Sequence, residues 1–598
     1  MTNPADQVAE TGHDDWAALH WEGSFQEYMG ILEAEPRVAR NAFQRLHDML
    51  HSHGTDAREV EGRTVTTYRL FDDPLGSGAD AVFGLERSLG RLADLIRAAA
   101  IGLGPQRRIW LLHGPVGSSK STIARLLKRG LEDYSRRPNG ALYSYSWVGE
   151  DGELTPCPMN EDPLMLFRAA ERNTLLDSLQ DTGPAPYRVK VDGELCPLCR
   201  WMRSTALDAN GGDEAQMLES VRVRRVLLSE KDRIGIGTFQ PKDEKNQDST
   251  ELTGDLNFRK LAEYGADSDP RAFNFDGEFN IANRGLLEFV EVLKLDVAFL
   301  YDLLGASQEH TIKPRKFPQT DIDEVILGHT NEPEFKRLQG NEMMEAFRDR
   351  TLKIDLPYNL RVTEEARIYR RAFRDAKVAG RHLAPHAVDV ASLWVVLTRL
   401  EDPQHGGLTR LQKLRLYDGE SVAGFTQAAA MELREEAPRE GMVGISPRYV
   451  QDRLAMAFVG GRDVGCVGVE DVLEQLAEGL DHHSLLACEE DKKAYRELLS
   501  TAREEYEDLL LSDIRRALAG DTDDLTGLCA NYLEHARAAT LGDQVNDPVT
   551  GDAARHDESF LRSVESKIEI PESRKNDFRQ EIMNYIGALA LEGRTFDF

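Results

Sequence analysis

The residues best suited to chemistry form one short run, Gly114-Pro115-Val116-Gly117-Ser118-Ser119-Lys120-Ser121. Before it stands Ile109-Trp110-Leu111-Leu112-His113, an apolar stretch that reads as a buried strand. After it, Thr122-Ile123-Ala124-Arg125-Leu126-Leu127-Lys128 has helical spacing. Strand, Gly-rich turn and helix in that order are what a phosphate-binding loop needs. Backbone N–H groups from Gly114 to Thr122, gathered at a helix N-terminus, would wrap the phosphates. Lys120 would reach the β- and γ-phosphates, and the Ser121 hydroxyl would hold Mg²⁺. A nucleoside triphosphate is thereby implied, with ATP and Mg²⁺ the expected cofactors. One position departs from the usual pattern: Ser119 precedes the lysine where glycine is usual. Serine carries a Cβ, so the loop must hold that residue in a conformation a non-Gly residue tolerates.

Four further parts of such a site are found downstream. An acidic strand end should order the metal and polarise the attacking water, and Leu286-Leu287-Glu288-Phe289-Val290-Glu291 is the candidate. Glu291 falls at the water-activating position. Val290 stands where an aspartate is usual and cannot hold metal-bound water, so Glu288, two residues earlier on the same strand face, is the residue available to compensate. Ser121, Glu288 and Glu291 are therefore the metal-side candidates. Asn331, after Val325-Ile326-Leu327-Gly328-His329-Thr330, offers an amide to orient the lytic water, and it also suits a helix cap. In Ala346-Phe347-Arg348-Asp349-Arg350, Arg350 is the first choice, and Arg348 the second, for an arginine that stabilises charge on the γ-phosphoryl group. Such an arginine often comes from a neighbouring subunit, so a homo-oligomeric ring is expected. Ser446-Pro447-Arg448-Tyr449 opens a helix with Pro447 in its first turn, from which Arg448 reaches over the nucleotide. Ion pairing at the surface is the ordinary use of any one arginine; the order and spacing of all the parts distinguish these.

The elements that must position these groups follow from periodicity. Residues 1–23 are polar and acidic and read as a disordered leader without the apolar segment of a signal peptide. Residues 24–80 read as helical and mixed, with Tyr28, Leu32, Val38, Ala42, Leu46 and Leu50 on one helical face. Residues 81–360 alternate strands and helices. Ala141–Trp147 reads as a second strand, 221–227 as helix or strand without a decision, and 150–215 as an insertion with little regular structure. Residues 361–464 read as a helical lid and 465–598 as a helical, acidic C-terminal domain, for which a packed cap is favoured over a docking role. The fold class is an α/β P-loop module, a parallel sheet flanked by helices, with an all-α lid and a helical C-terminal domain: the layout of an AAA+ ATPase.

Composition narrows the partners. The 598 residues carry a formal charge of −30, which argues against a sequence-independent grip on DNA or RNA. The longest apolar runs are too short to span a bilayer. With six cysteines in so long a chain no disulfide framework is expected, and a cytoplasmic location is the default. Cys196-Pro197-Leu198-Cys199 is one CxxC pair, with Cys157 as a third thiol; lacking a second CxxC, reduced thiols are favoured over a zinc site.

Several long segments resemble the PrkA family of bacterial and archaeal serine protein kinases with an AAA+ core. They are Ile234–Phe239, Asp243–Asp248, Glu251–Asp255, Ser268–Phe279, Ala282–Phe289, Asp547–Gly551 and Phe578–Ile582. The resemblance runs from about Phe25 through nearly the whole chain, and Val290 looks typical of the family. It implies ATP-dependent phosphorylation of serine or threonine in a protein substrate, with Glu291 taking the hydroxyl proton. No His-Arg-Asp loop, Asp-Phe-Gly or Val-Ala-Ile-Lys strand of eukaryotic kinases is present, so a kinase would have to work from the phosphate loop. The alternative is an AAA+ motor that remodels or helps degrade a partner protein. Leu252-Thr253-Gly254-Asp255, similar to the substrate-contacting loop of bacterial enhancer-binding ATPases, favours that alternative. A proteolytic version would need a serine paired with lysine or histidine, and Ser484, Ser512, Lys492 and Lys493 supply the types without a pairing.

Overall fold

Five apolar runs assemble into one parallel sheet: β1 (Ile109–His113), β2 (Ile236–Phe239), β3 (Leu286–Phe289), β4 (Val325–Thr330) and β5 (Thr351–Asp355), in the spatial order β5-β1-β4-β3-β2. The structure is a computed structural model that describes residues 16–60, 63–149, 151–180, 186–241, 248–266, 269–295, 297–314, 317–340, 344–373, 381–404, 407–420, 422, 425, 427–460, 465–483, 488–519, 522–542, 545–546, 553–554, 556–568 and 570–591. The leader residues 1–15, Ser484, and the segments Asp243–Asn246 and Asp547–Gly551 lie outside the described residues.

The phosphate-loop strand β1 is central, with Thr330 of β4 opposite His113 on one side and Asp355 of β5 opposite it on the other. Strands covered on both faces read as unbroken apolar runs, and β1, β3 and β4 are buried at every residue. Alternate side chains feed two cores. Trp110, Leu112, Leu286, Val325, Leu327 and Ile354 pack on one face with Ile123 and Leu127 of the helix Lys120–Arg136. Ile109, Leu111, Leu287, Phe289 and Ile326 pack on the other. This period of two forces consecutive residues to opposite faces and fixes the register.

The run Ala141–Trp147, expected as a second strand, forms one at Leu142–Val148, but it belongs to a separate antiparallel sheet. That sheet is Glu22–Ser24, Val221–Val226, Leu142–Val148 and Leu154–Pro156 in order. Val221–Val226 is thus a strand, in which Val221 and Val223 are buried and alternate with Arg222 and Arg224. The end of the expected leader is ordered here: Glu22 pairs with Arg224. The insertion is more regular than expected, with helices at Ala169–Leu179, Pro197–Ala209 and Glu214–Glu219. The six residues expected on one N-terminal helical face are all buried, but Tyr28 and Leu32 lie on the helix Phe25–Ala34, Val38 in the turn Pro36–Ala39, and Ala42, Leu46 and Leu50 on the helix Ala42–Ser52. Pro36 starts a separate turn, and Asn41 caps the second helix.

Helices Val362–Ala372, Ala387–Leu397, Arg410–Tyr417, Gln427–Glu436 and Pro447–Gly460 form the lid. Its fixed point is the fully buried pair Arg399–Glu365 at 2.8 Å. Arg399 also donates to the carbonyls of Ile445 and Asn359, each at 3.0 Å. These bonds hold the approach to Arg448. The first compact unit runs to Leu499 and includes the helix Val469–Asp481. The second begins at Ser500. It contains the helices Thr522–Leu541, Glu558–Lys567 and Lys575–Leu591. Tyr532, Ala536 and Leu561 pack in its core, beside Arg579 and Glu565 at 2.6 Å.

Candidate functional site

Between His113, the last residue of β1, and the helix starting at Lys120, six residues turn the chain at the C-terminal edge of the sheet. Gly114 has no room for a side chain, because a Cβ there would lie 2.2 Å from the Leu356 carbonyl oxygen. Gly117 has φ +87°. Ser119 has φ 66° and ψ 11°, the left-handed conformation that the usual glycine would adopt without strain. It is the N-cap of the helix yet makes no side-chain capping bond, which leaves the first N–H groups to an anion. The Ser118 hydroxyl is buried with no hydrogen-bond partner. The Tyr358 hydroxyl donates to the Val116 carbonyl at 2.6 Å and pins the exposed loop tip. Orphan donors, a left-handed turn and a lysine at the helix start fit a polyphosphate. Ser121 is exposed and Thr122 half-buried in the first helical turn, where a hydroxyl can serve a metal ion.

Lys120 donates to the carbonyls of Gly114 and Pro115, both at 2.7 Å. Burial pushes its pKa down to about 8. Glu334 opposes this shift, Arg448 reinforces it and Glu291 opposes it. Three parts expected from sequence thus act on one another: the loop lysine, the acid after β3 and the lid arginine. The Arg448 side chain also packs on the loop, its Cγ 3.7 Å from where a Cβ of Gly117 would stand. Asn331 directly follows β4, whose last carbonyl, that of Thr330, accepts from Gly114 N–H at 3.4 Å. The Asn331 carbonyl accepts from Phe335 N–H at 2.9 Å as the next helix starts.

The acids after β3 divide. Glu291 is beyond the strand end with φ 55°, its carboxylate 2.7 Å from Lys294 Nζ and half exposed. Glu288, expected to serve the metal in place of Val290, is instead the anion of a buried pair with Lys128 at 2.5 Å. Lys128 also donates to Glu230 at 2.5 Å and to the Thr238 hydroxyl at 3.0 Å. Burial raises the Glu288 pKa, and Lys128 pulls it back. A carboxylate held this way is a structural anchor between the loop helix and β3, which corrects the expectation of a metal ligand. His329 Nε2 lies 3.3 Å from Glu288 Oε1. Burial, then Lys120 and Lys128, hold its pKa down at about 4, so the imidazole is neutral at pH 7.

Arg350 lies at the other end of the sheet. Its carbonyl accepts from Ile109 N–H at 3.0 Å, at the start of β1. A five-residue strand separates it from the loop, roughly 13 Å along the sheet at 3.3 Å per residue. Its guanidinium bonds Gln308 and, at 3.0 Å, the Ala346 carbonyl, while Arg348 bonds the carbonyls of Leu338 and Gln339. Neither belongs to the site in its own chain. A cavity of about 870 Å³ is also at this far end, lined by Arg40, Gln44, Arg107, Arg188, His310 and Asp323. It has no part in the phosphate loop. Sequence reasoning missed Lys128, Glu334, His329 and Tyr358. Only Lys128 had a visible signal, a lone cation on the buried face of the loop helix.

Comparison with known proteins adds a family relationship. Residues 23–406 match the model of the PrkA AAA domain, and residues 411–598 that of the PrkA serine protein kinase C-terminal domain. The chain is 39% identical over 582 residues to the "ATP-dependent protease PrkA" of Bacillus subtilis (strain 168), covering 97% of this chain and 86% of that protein. It is 28% identical over 581 residues to "Serine/threonine kinase YeaG" of Escherichia coli (strain K12), covering 95% and 85%. Among solved structures, NtrX from Brucella abortus aligns at 11% identity over 73% of this chain and 71% of that one. Its TM-score of 0.26 is too low to carry an argument.

Proposed function

The chain belongs to the PrkA family, and on that premise we propose that it is an AAA+ ATPase that binds ATP with Mg²⁺ at the phosphate loop and acts on a protein substrate. The observation that carries this reading is the convergence of Lys120 and Arg448 on the Gly117 turn. Bound Mg²⁺ supplies charge neutralisation at the β- and γ-phosphates, and Ser121 is the residue offered to it. The helix N-terminus and the loop N–H groups bind the phosphate oxygens. Lys120 exchanges two carbonyls for the γ-phosphoryl oxygens. Arg448 clamps the phosphates from the lid. Asn331 orients the attacking water, and Glu291 polarises it. Arg350, remote from its own loop, serves the nucleotide of the next subunit in a ring. Between β2 and β3 the chain makes an arm, with Asp255–Leu256 paired to Phe273–Asn274. Phe258 on this arm is 76% exposed, an apolar contact available to a protein substrate.

A second reading is a serine/threonine protein kinase. It is favoured by the C-terminal match and by the name of the Escherichia coli relative. A protein hydroxyl then replaces water: its oxygen bonds to the γ-phosphorus, the bond to the β–γ bridging oxygen breaks, ADP leaves and Glu291 accepts the proton. A third reading, proteolysis, stands on the name of the Bacillus subtilis relative; of the lysines considered for it, Lys492 pairs with Glu489 at 2.7 Å. One experiment separates these readings: a γ-labelled ATP time course with casein as acceptor, counting free phosphate and protein-bound label, with Lys120→Ala beside the parent. Free phosphate that rises with protein concentration and is absent in Lys120→Ala supports the ATPase. Label on serine that vanishes in Lys120→Ala replaces it with the kinase. Neither product from the parent refutes both.

A further inference from the structure

Away from the phosphate loop, Cys157, Glu161, Cys196 and Cys199 meet in the interior. All four are buried, and one sulfur or oxygen from each lies within 4.8 Å of all the others. The sulfur of Cys157 is 3.3 Å from Glu161 Oε2. Three sulfurs and one carboxylate oxygen make a closed four-ligand set. At bonds of about 2.3 Å to sulfur and about 2.0 Å to oxygen, a tetrahedral zinc ion holds its ligands roughly 3.5–3.8 Å apart. That is the scale of this cluster.

The surroundings suit thiolates. Glu161 N–H points at the Cys157 sulfur at 3.4 Å, and Cys199 N–H at the Cys196 sulfur at 3.5 Å. Cys196 is the N-cap of the helix Pro197–Ala209, with Cys199 in its first turn, so the positive end of the helix faces both sulfurs. The fourth ligand is oriented independently: Glu161 accepts from Cys196 N–H and, at 3.0 Å, from the Tyr145 hydroxyl. Among the described residues no basic side chain pairs with Glu161, which is only 3% exposed. A buried carboxylate without a counter-charge is costly, and a divalent cation answers that need. All three cysteines are free thiols rather than a disulfide.

We propose that Cys157, Cys196, Cys199 and Glu161 bind one structural zinc ion. Binding forms three Zn–S bonds and one Zn–O bond, and the thiol protons pass to solvent; nothing is oxidised or reduced. The ion ties the loop after Leu154–Pro156 to the start of the helix Pro197–Ala209. That same loop grips the entry to β3. Asn283 donates to the Met159 carbonyl, and Arg284 donates to the Asn160 carbonyl at 3.2 Å and to Asp162 at 3.0 Å. Zinc therefore braces the strand that leads to Glu291. This inference is independent of which reaction the phosphate loop performs.

The test is metal analysis of the full chain, purified without metal-affinity resin and dialysed against EDTA. The expected result is about one zinc per chain, released when a mercurial modifies the thiols. Cys157→Ser and Cys199→Ser are expected to lose the zinc, while Cys466→Ser, whose sulfur is outside the cluster, keeps it. Should the first two variants fail to fold, the unmutated chain decides. Refolded with Co²⁺ it should show the d–d absorption of a tetrahedral thiolate site. A folded parent that carries no metal and shows no such band overturns the proposal. So does a disulfide between Cys196 and Cys199, or stoichiometric iron in place of zinc.

Discussion

Lys128 Nζ lies 2.5 Å from Glu288 Oε2, with the two side chains 8% and 5% exposed. The phosphate-loop helix and β3 are thereby joined by a charged contact inside the core. The consequence is a division of labour between two acids three residues apart: Glu288 holds the frame, and Glu291, outside the strand, takes no part in it and pairs with Lys294 at 2.7 Å.

Lys128→Met leaves Glu288 buried without its counter-charge and is expected to lower stability by about 3 kcal/mol, while Glu288→Leu should cost less, because Lys128 keeps the Glu230 carboxylate at 2.5 Å. The double variant should be far less destabilised than the sum, because two apolar side chains of similar volume need no counter-charge. Chemical denaturation of the four proteins reads the coupling. Additive losses would mean that the two side chains do not depend on each other.

Lys120 gives a pH signature. Its folded pKa is about 8, below the ordinary 10.5. Between these values the unfolded chain binds the extra proton, so this group makes the nucleotide-free fold gain stability as pH rises from about 8 to about 10.5. Bound phosphates reverse the field and raise the pKa. Nucleotide binding at pH about 8.5 should therefore take up a sizeable fraction of a proton. Titration calorimetry in two buffers of different ionisation enthalpy measures it. The uptake should vanish in Lys120→Met; equal uptake in parent and variant would assign the proton to another group.

Much of this site is legible in the sequence because its parts are local. A phosphate loop is a contiguous strand, turn and helix, and β3, β4 and β5 announce themselves as apolar runs with polar ends. Where the sequence misleads, the cause is non-local. Leu142–Val148 looks like a parallel strand, but its hydrogen bonds go to Val221–Val226, and no pattern in either run states that pairing. β2 is only four residues, Ile236–Phe239, two of them glycine or threonine, too few for periodicity to speak. The partner of Glu288 is on a different element, so its strand position alone suggested a metal role. The cysteine cluster is the extreme case: the CxxC pair and Cys157 can be named from the sequence, but only the fold carries Cys157 and Glu161 to Cys196 and Cys199.

Arg448 touches the loop but is exposed at the start of its helix. Arg448→Ala should leave the melting temperature nearly unchanged and weaken nucleotide binding by roughly tenfold, the scale of one charge-assisted contact. Gly117→Ala should behave differently. The residue has φ +87° and an added Cβ would meet Arg448 only at ordinary contact distance, 3.7 Å. Its cost is conformational, about 1 kcal/mol, and falls on the loop itself. Fluorescent-nucleotide titration with parallel melting curves separates the two. A large stability loss in Arg448→Ala would mean that the arginine holds the lid rather than the phosphates.

Arg350 supplies the sharpest test of assembly. Its carbonyl is bonded to the first residue of β1, while the phosphate loop starts beyond the last. An arginine side chain cannot span that strand and still reach a γ-phosphoryl group in its own chain. Activity that depends on Arg350 must therefore come from a neighbouring copy. Arg350→Ala and Lys120→Ala should each be nearly inactive, since an arginine of this type is worth about 10³–10⁵ in rate. Mixed, they should regain activity. An Arg350→Ala subunit has an intact loop and can be served by the arginine of a Lys120→Ala neighbour. Phosphate release from the mixture, against each variant alone at equal total protein, reads the effect. Recovery requires shared sites between subunits. Silence in a mixture whose subunits demonstrably co-assemble would assign Arg350 to its own chain's helix end, where it bonds Ala346, and remove it from the chemistry.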